Sequence, residues 1–515
     1  MFLEQVTFPP IPWLAFGLIF VCALFTSLAK RPRYPPGPKG LPVVGNLFDV
    51  PVDNPWIRYT QLGQQLGSDI IHFEVLGRHI VVLNSVKAAR DLLEKRSSNY
   101  SGRAESVMFT DITGWHRNWA LWPYDDGYKA HKKAFAQHFR PEALPKYHAT
   151  QVKGVHTLLK SILDSPDAFH AHVECLTGQV LLEIVYGFQV ARGEPLLALV
   201  GQAVFTLKQI ADANVYLADV IPIFKYLLSW FPGAGFKWQA AIWKKLVDGM
   251  YEEPYRRYKA ALSEGAYMQC LTTALMSLTE DSEAPESADM LTMSIAGTTY
   301  GAGAGTTMDS IQSFILAATM FPETQLAAQR EIDNVLGRQR LPTIEDEAAL
   351  PHVTTMMYEL LRWSCVGPIA LPHKSEADDE YDGYFIPGGT VMIANVWSML
   401  HDASAFPDPE CFDPTRFLAE DGTLNSDMSF VSEAFGFGRR ICPGRHFARD
   451  FIWLAIANIL AVFTVAPALD DQGGELKLTA EFTTRSMRCP LPFKCRFIPR
   501  FPEADSLIRS AAANN

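Results

Sequence analysis

One cysteine near the C-terminal end sits in a setting suited to chemistry. Cys442 lies in Phe435-Gly436-Phe437-Gly438-Arg439-Arg440-Ile441-Cys442-Pro443-Gly444, a tight loop bounded by glycines. An apolar helical stretch follows, from Arg445 to about Val465. A sulfur at a helix N-terminus meets unpaired N–H groups and the positive end of the dipole, which stabilise a thiolate. Gly438 and Gly444 let backbone approach a flat ligand closely. Arg440 adds a fixed positive charge two residues before the sulfur. Together these features suit a thiolate that ligates haem iron.

Upstream stand groups that gain meaning beside this loop. Ala302-Gly303-Ala304-Gly305-Thr306-Thr307 falls inside a long helical stretch, about Asp289 to Met320. Each glycine there costs a helix roughly 1 kcal/mol against alanine, which points to a distortion or to the close approach of a flat ligand. A glycine-lined helix-packing seam is the alternative. Glu359 and Arg362 are spaced i,i+3 on one helix face and can pair. Pro414-Thr415-Arg416-Phe417 supplies a further arginine. Tyr128 and Lys132 lie on a basic helix, and His373 precedes a run that alternates like strands.

These phrases resemble the cytochrome P-450 superfamily, the haem-thiolate monooxygenases. The family signature Phe-x-x-Gly-x-Arg-x-Cys-x-Gly is matched at Phe435, Gly438, Arg440, Cys442 and Gly444. The resemblance implies haem b, with the Cys442 thiolate as axial ligand. It places Thr306 on the threonine of the oxygen-binding helix, where Gly305 replaces the usual acid. It implies that Tyr128, Lys132 and His373 contact haem propionates; Tyr128 and Lys132 stand where the family has Trp and Arg. It implies a buried network of Glu359, Arg362 and Arg416 that locks the haem-binding loop. Val366 to Leu371 and Phe482 to Met487 match turns that line the family's substrate pocket.

The expected architecture is α+β: mainly α-helix with small β-sheets, the cytochrome P-450 fold, preceded by one transmembrane helix. Composition agrees. Hydrophobic residues make up 48% and charged ones 20%, a balance that fits one large core rather than disorder. The net charge of −11 argues against a nucleic-acid partner. The eight cysteines are scattered without a Cys-x-x-Cys pair, so neither a disulfide framework nor a zinc site is suggested.

Four segments are expected along the chain: an anchor over 1–29, a proline-rich hinge over 30–38, a catalytic domain over 39–500 and a polar tail over 501–515. Ile11 to Leu28 is almost wholly apolar, and a helix of that length spans about 27 Å. Basic residues only follow it, so the positive-inside rule places the catalytic domain in the cytosol, on the endoplasmic reticulum membrane. With that topology the sequon Asn99-Tyr100-Ser101 stays unmodified. Residues 205–238 are dense in aromatics and read either as core or as a lid and access region dipping into the membrane interface.

The family resemblance, closest to fungal microsomal members of secondary metabolism, implies insertion of one oxygen atom from O2 into a lipophilic small molecule. A terpenoid is one such substrate. Electrons come from NADPH through NADPH-cytochrome P-450 reductase, and membrane lipid is a second partner. Arg439, Arg445, Arg449, Lys129 and Lys133 form the basic face expected to dock the reductase. The missing acid keeps open an O2-independent haem-thiolate enzyme (isomerase, dehydratase or peroxygenase); a non-catalytic haem-binding protein is a second alternative, which would need neither Thr306 nor the basic face.

Overall fold

The computed structural model describes residues 32–514, apart from 213–215, 221, 228–229, 231–233, 279–284 and 426–427. Eleven α-helices of ten residues or more occur among them. These are α1 (Pro55–Leu66), α2 (Asp126–Phe139), α3 (Pro145–Asp164), α4 (Phe169–Tyr186), α5 (Pro195–Asp212), α6 (Phe236–Ser263), α7 (Pro285–Met320), α8 (Pro322–Leu336), α9 (Pro351–Trp363), α10 (Arg445–Val462) and α11 (Ala504–Ala513).

Local sequence sets the helix ends. Proline opens α1, α3, α8 and α9, where its missing N–H is not needed. Gly187 ends α4 in the left-handed conformation at φ 76°. The Asp125 side chain caps α2 by accepting from the Tyr128 N–H at 2.8 Å.

The strands are short. β1 (Ile70–Val75) and β2 (Arg78–Leu83) pair antiparallel about Leu76-Gly77, both at positive φ. They join β3 (Gly102–Arg103), β4 (His373–Lys374) and β7 (Val391–Ala394) in one sheet of order β1-β2-β7-β4-β3. β5 (Asp379–Tyr381) pairs with β6 (Tyr384–Ile386), and β8 (Phe463–Pro467) with β9 (Cys495–Pro499).

α7 is the axis of the molecule. It packs against α4, α5, α6, α9 and α10, and most of its length is buried among them. It runs unbroken through its glycines, so no distortion marks them. They admit neighbouring helices instead. A Cβ on Gly297 would lie 2.2 Å from Tyr251 of α6, and one on Gly303 2.9 Å from Leu181 of α4. The helix-packing seam is therefore the reading that holds for these two positions.

Both ends of the described chain are more firmly attached than their composition implies. The proline-rich stretch is laid along β1 rather than standing free. The Pro36 carbonyl accepts from the His72 N–H at 2.8 Å, and Tyr34 stacks on His72 at 5.0 Å. The segment expected as a polar tail contains α11, which buries Ala504 and Ile508 against α3. The catalytic fold thus continues past Arg500. The correction has a simple cause: Ala504, Ile508 and Ala511 recur at helical spacing, and a ten-residue amphipathic segment holds its shape only when docked.

The Asn99 side chain is engaged, donating to the Ala377 carbonyl and accepting from the Ala377 N–H at 2.8 Å. Among the described residues no helix is long and apolar enough to cross a membrane. The apolar run Ile11 to Leu28 lies outside them.

Ile508 is fully buried in the main core. Ile508→Ala should therefore cost about 2–5 kcal/mol, read as a lowered denaturant midpoint.

Candidate active site

The cysteine loop is closed by its own backbone. The Cys442 N–H donates to the Phe435 carbonyl at 2.8 Å, and Gly438–Arg440 forms a single 3₁₀ turn. Gly438 has φ +55°, and a Cβ there would lie 2.1 Å from the Leu93 carbonyl oxygen, so only glycine fits. Gly444 begins α10 and meets nothing nearer than Phe135 at 4.0 Å from its would-be Cβ. Cys442 keeps accessible surface although protein surrounds it on all sides. Burial pushes its thiol up, while the Gly444 N–H and Arg445 pull it down. A coordinating metal ion would hold such a sulfur as the thiolate.

Arg440 does not point its charge at the sulfur. Its guanidinium lies 3.8 Å from the Tyr128 ring centre and donates to the carbonyls of Ser101 at 2.8 Å and Trp122 at 2.7 Å. Its Nη1 is buried without a partner. Nearby Arg103 donates to the carbonyls of Leu371, Pro372 and Ala120. Arg103 on β3 stands opposite His373 on β4, whose Nδ1 donates to the Tyr100 carbonyl at 2.7 Å. Burial, then repulsion from Arg440, pushes Arg103 down to about 9. Burial, then Arg103, pushes His373 down to about 3. Among the described residues no acid pairs with Arg103 or Arg440. Two guanidiniums kept in an interior without a counter-charge are costly. The arrangement suits a ligand that brings two carboxylates.

Tyr128 and Lys132 both reach the cysteine loop. The Tyr128 hydroxyl donates to the Arg439 carbonyl at 3.2 Å, and Lys132 Nζ donates to the same oxygen at 2.5 Å. They tie α2 to the cysteine loop. Tyr128 has one proton to donate and gives it here, whereas Lys132 keeps two more N–H groups.

α7 shows one open face. Between Ser294 and Thr319 only Ala302 and Thr306 are exposed, one turn apart in an otherwise enclosed helix. Thr306 Oγ1 donates to the Ala302 carbonyl at 2.9 Å, leaving its lone pairs toward that face. Gly305 is crowded from the other side: a Cβ there would meet Val204 of α5 at 3.3 Å. Asp309, one turn on, is committed to Lys208 and Cys489 rather than free to serve Thr306.

Glu359 and Arg362 are 0% exposed and paired through two bonds of 2.7 Å. Glu359 also accepts from the Asp413 N–H at 2.8 Å and lies 3.5 Å from Arg416 Nε. Arg362 donates to the carbonyls of Leu400 and Cys411. The network ties α9 to the irregular stretch that leads into the cysteine loop. The segment after α9 also meets the C-terminal turn: the Arg488 N–H, just past Met487, donates to the Val366 carbonyl at 3.0 Å.

The cytochrome P450 family model matches residues 35–489, nearly all of the described chain. The chain belongs to the cytochrome P450 family. It is 34% identical to a cytochrome P450 monooxygenase of Postia placenta, over 96% of both chains. It is 36% identical to one of Coprinopsis cinerea, over 96% of this chain and 94% of that one. A tryptamine 4-monooxygenase of Psilocybe cyanescens is 34% identical over 92% and 94%. This P450 is thus a haem-thiolate monooxygenase with the mainly helical P450 fold. Members of the family bind haem b through an axial cysteine thiolate. The donor set here fits that group: an accessible sulfur, a glycine-shaped loop and a buried cationic cluster for two propionates.

Arg103 was not legible in the sequence. It sits in a two-residue strand that has no periodicity, and only the ladder to His373 brings it to the cluster.

Two outcomes follow from the charges. Glu359→Gln leaves Arg362 without its counter-charge and should cost about 3–5 kcal/mol, so haem-loaded protein should fail to accumulate. Arg103→Leu should speed haem loss to apomyoglobin by about tenfold or more, with the fold retained by circular dichroism.

Proposed function

We propose that this P450 oxidises a lipophilic small molecule, such as a terpenoid of fungal secondary metabolism, with electrons from NADPH through NADPH-cytochrome P-450 reductase. Cys442 is the axial ligand. Arg103, Arg440, His373 and Lys132 hold the propionates, and Tyr128 acts indirectly by fixing the loop at Arg439. Phe435 and Gly444 shape the cradle on the cysteine side. Haem supplies the O2 chemistry, and the thiolate's electron density favours O–O cleavage. The chain's own work is to bind, orient and exclude water.

The observation that supports the reading most is the open Ala302–Thr306 face within an otherwise closed stretch of α7. Thr306 Oγ1 can hold and pass a proton there, with water or a polar group of the substrate completing the path in place of the absent acid at 305.

The access side supports a membrane partner. Tyr226, Trp230 and Trp238 are exposed, with Ile223 and Ile242 nearby in sequence. Aromatic and apolar groups of this kind favour a lipid interface. With the apolar run Ile11 to Leu28 they support a single-pass tether on the endoplasmic reticulum membrane, with the catalytic domain in the cytosol.

The reductase face is narrower than charge alone implies. Lys129 pairs with Asp126, and Arg449 pairs with Glu347 and Asp450. Lys133, Arg439 and Arg445 remain for steering an acidic partner.

The test uses full-length protein with reductase, NADPH and O2. Reduced wild type with carbon monoxide should give the thiolate-type Soret band, and Cys442→Ala should lose it. Thr306→Ala should raise peroxide formed per NADPH and lower product by about tenfold or more. Unchanged peroxide and product in Thr306→Ala would remove the relay from this helix.

A further inference from the structure

One stripe of α5 faces α7 and the C-terminal turn: Val204, Lys208 and Asp212, at i, i+4 and i+8. Val204 fills the space beside Gly305, and its Cγ2 would lie 3.7 Å from a Cβ on Gly301. Lys208 Nζ donates to Asp309 Oδ2 at 3.0 Å and reaches Cys489 Sγ at 3.4 Å. Asp212 Oδ1 accepts from the Ser486 N–H at 2.8 Å and from its hydroxyl at 2.5 Å.

Gly301, Gly305 and Asp309 form the matching stripe on α7, again at i, i+4 and i+8. The two helices therefore meet turn for turn. The glycines let α5 come close, and the acid that does appear stands one turn beyond position 305.

The third body is the C-terminal turn. It closes on itself, with the Thr483 N–H donating to the Cys489 carbonyl at 2.8 Å. Cys489 Sγ donates to Asp309 Oδ2 at 3.0 Å. Helix α5, the helix bearing Thr306 and a turn of the substrate pocket thus converge on one carboxylate that is 2% exposed. Burial pulls the Lys208 ammonium down, but Asp309 and Cys489 outweigh it and keep it charged. Burial, then Asp309, pushes the Cys489 thiol up to about 12, so it stays a donor. An exposed bridge would contribute little, whereas a largely buried one whose carboxylate also accepts from Cys489 is costly to break halfway.

We propose that Lys208, Asp309 and Cys489 form a latch that seats α5 on α7, closing the substrate cavity and fixing the turn that carries Thr306. Lys208 and Asp309 are positioning residues for the oxidation. The proposal rests on the monooxygenase site described above. Because the latch joins lid, oxygen helix and pocket turn, its opening governs how fast a small molecule leaves the cavity.

The test measures release of 4-phenylimidazole from the full-length haem-loaded enzyme, together with amide hydrogen exchange. The carbon monoxide band is recorded first for every variant. Its absence from wild type would overturn the site reading and the latch with it, whereas a latch failure leaves the band in place. Lys208→Met and Asp309→Asn should each speed release by about tenfold, with faster exchange over 195–212 and 301–310 and the band unchanged. The double variant should release no faster than the faster single one, since both remove one interaction. Lys208→Arg should stay within about twofold of wild type, because it keeps the charge and a donor. If Asp309→Asn takes up no haem, Lys208→Gln/Asp309→Asn decides, as it leaves no bare charge. Faster release and exchange from that pair uphold the latch. Wild-type release in folded variants, or additive effects in the double, overturn it.

Discussion

The Glu359–Arg362 pair is the constraint on which the site depends. Both side chains are fully enclosed, so neither charge has water to fall back on. The Asp413 N–H and Arg416 complete the shell on the carboxylate, and two carbonyls complete it on the guanidinium. A buried pair is weak evidence for stability but strong evidence for geometry, because it holds only when every partner is present. Here the partners lie on α9 and on the stretch from Leu400 to Arg416. The cysteine loop follows that stretch, so the position of Cys442 inherits the network's precision.

A second charge arrangement is left open where the first is closed. Among the described residues no acid pairs with Arg103 or Arg440, and their partners are carbonyl oxygens and, for Arg440, the Tyr128 ring. Partial negative charge from carbonyls offsets part of the desolvation cost and leaves net positive charge. That surplus is the electrostatic complement of two propionates. Burial likewise pushes the Cys442 thiol up, and a coordinating metal ion would favour its thiolate instead. Both features make sense only with the cofactor, while the Glu359 network makes sense without it.

The central helix separates scaffolding from chemistry by face. Its glycines receive Tyr251, Leu181 and Val204 from three neighbouring helices. Its open face carries Ala302 and Thr306 alone. A Cβ at 305 would lie 3.3 Å from Val204 of α5, so the side of α7 at Gly305 is packed against that helix. The carboxylate that remains, Asp309, faces Lys208 and the C-terminal turn. Helix packing and proton handling are therefore linked on one turn of α7.

The sequence determined the family, the ligand loop and the buried triad, because each is written in residues close together or in fixed phrases. Phe435 to Gly444 contains its own turn chemistry, and the i,i+3 spacing of Glu359 and Arg362 already puts them on one face. The sequence also showed Gly305 in place of an acid. Only the tertiary structure decided what fills that place, since Val204 lies about a hundred residues away and arrives by helix packing. Likewise, Arg103 meets His373 only through a two-residue ladder, too short to leave a periodic signal. Tyr128 and Lys132 were legible as donors, but their acceptor, the Arg439 carbonyl, is a backbone atom that no residue type announces. The docking of α11 was missed for the same reason: a short amphipathic segment becomes a helix only against the surface that buries Ile508. Local patterns fix what a residue can do; long-range contacts fix what it does it to.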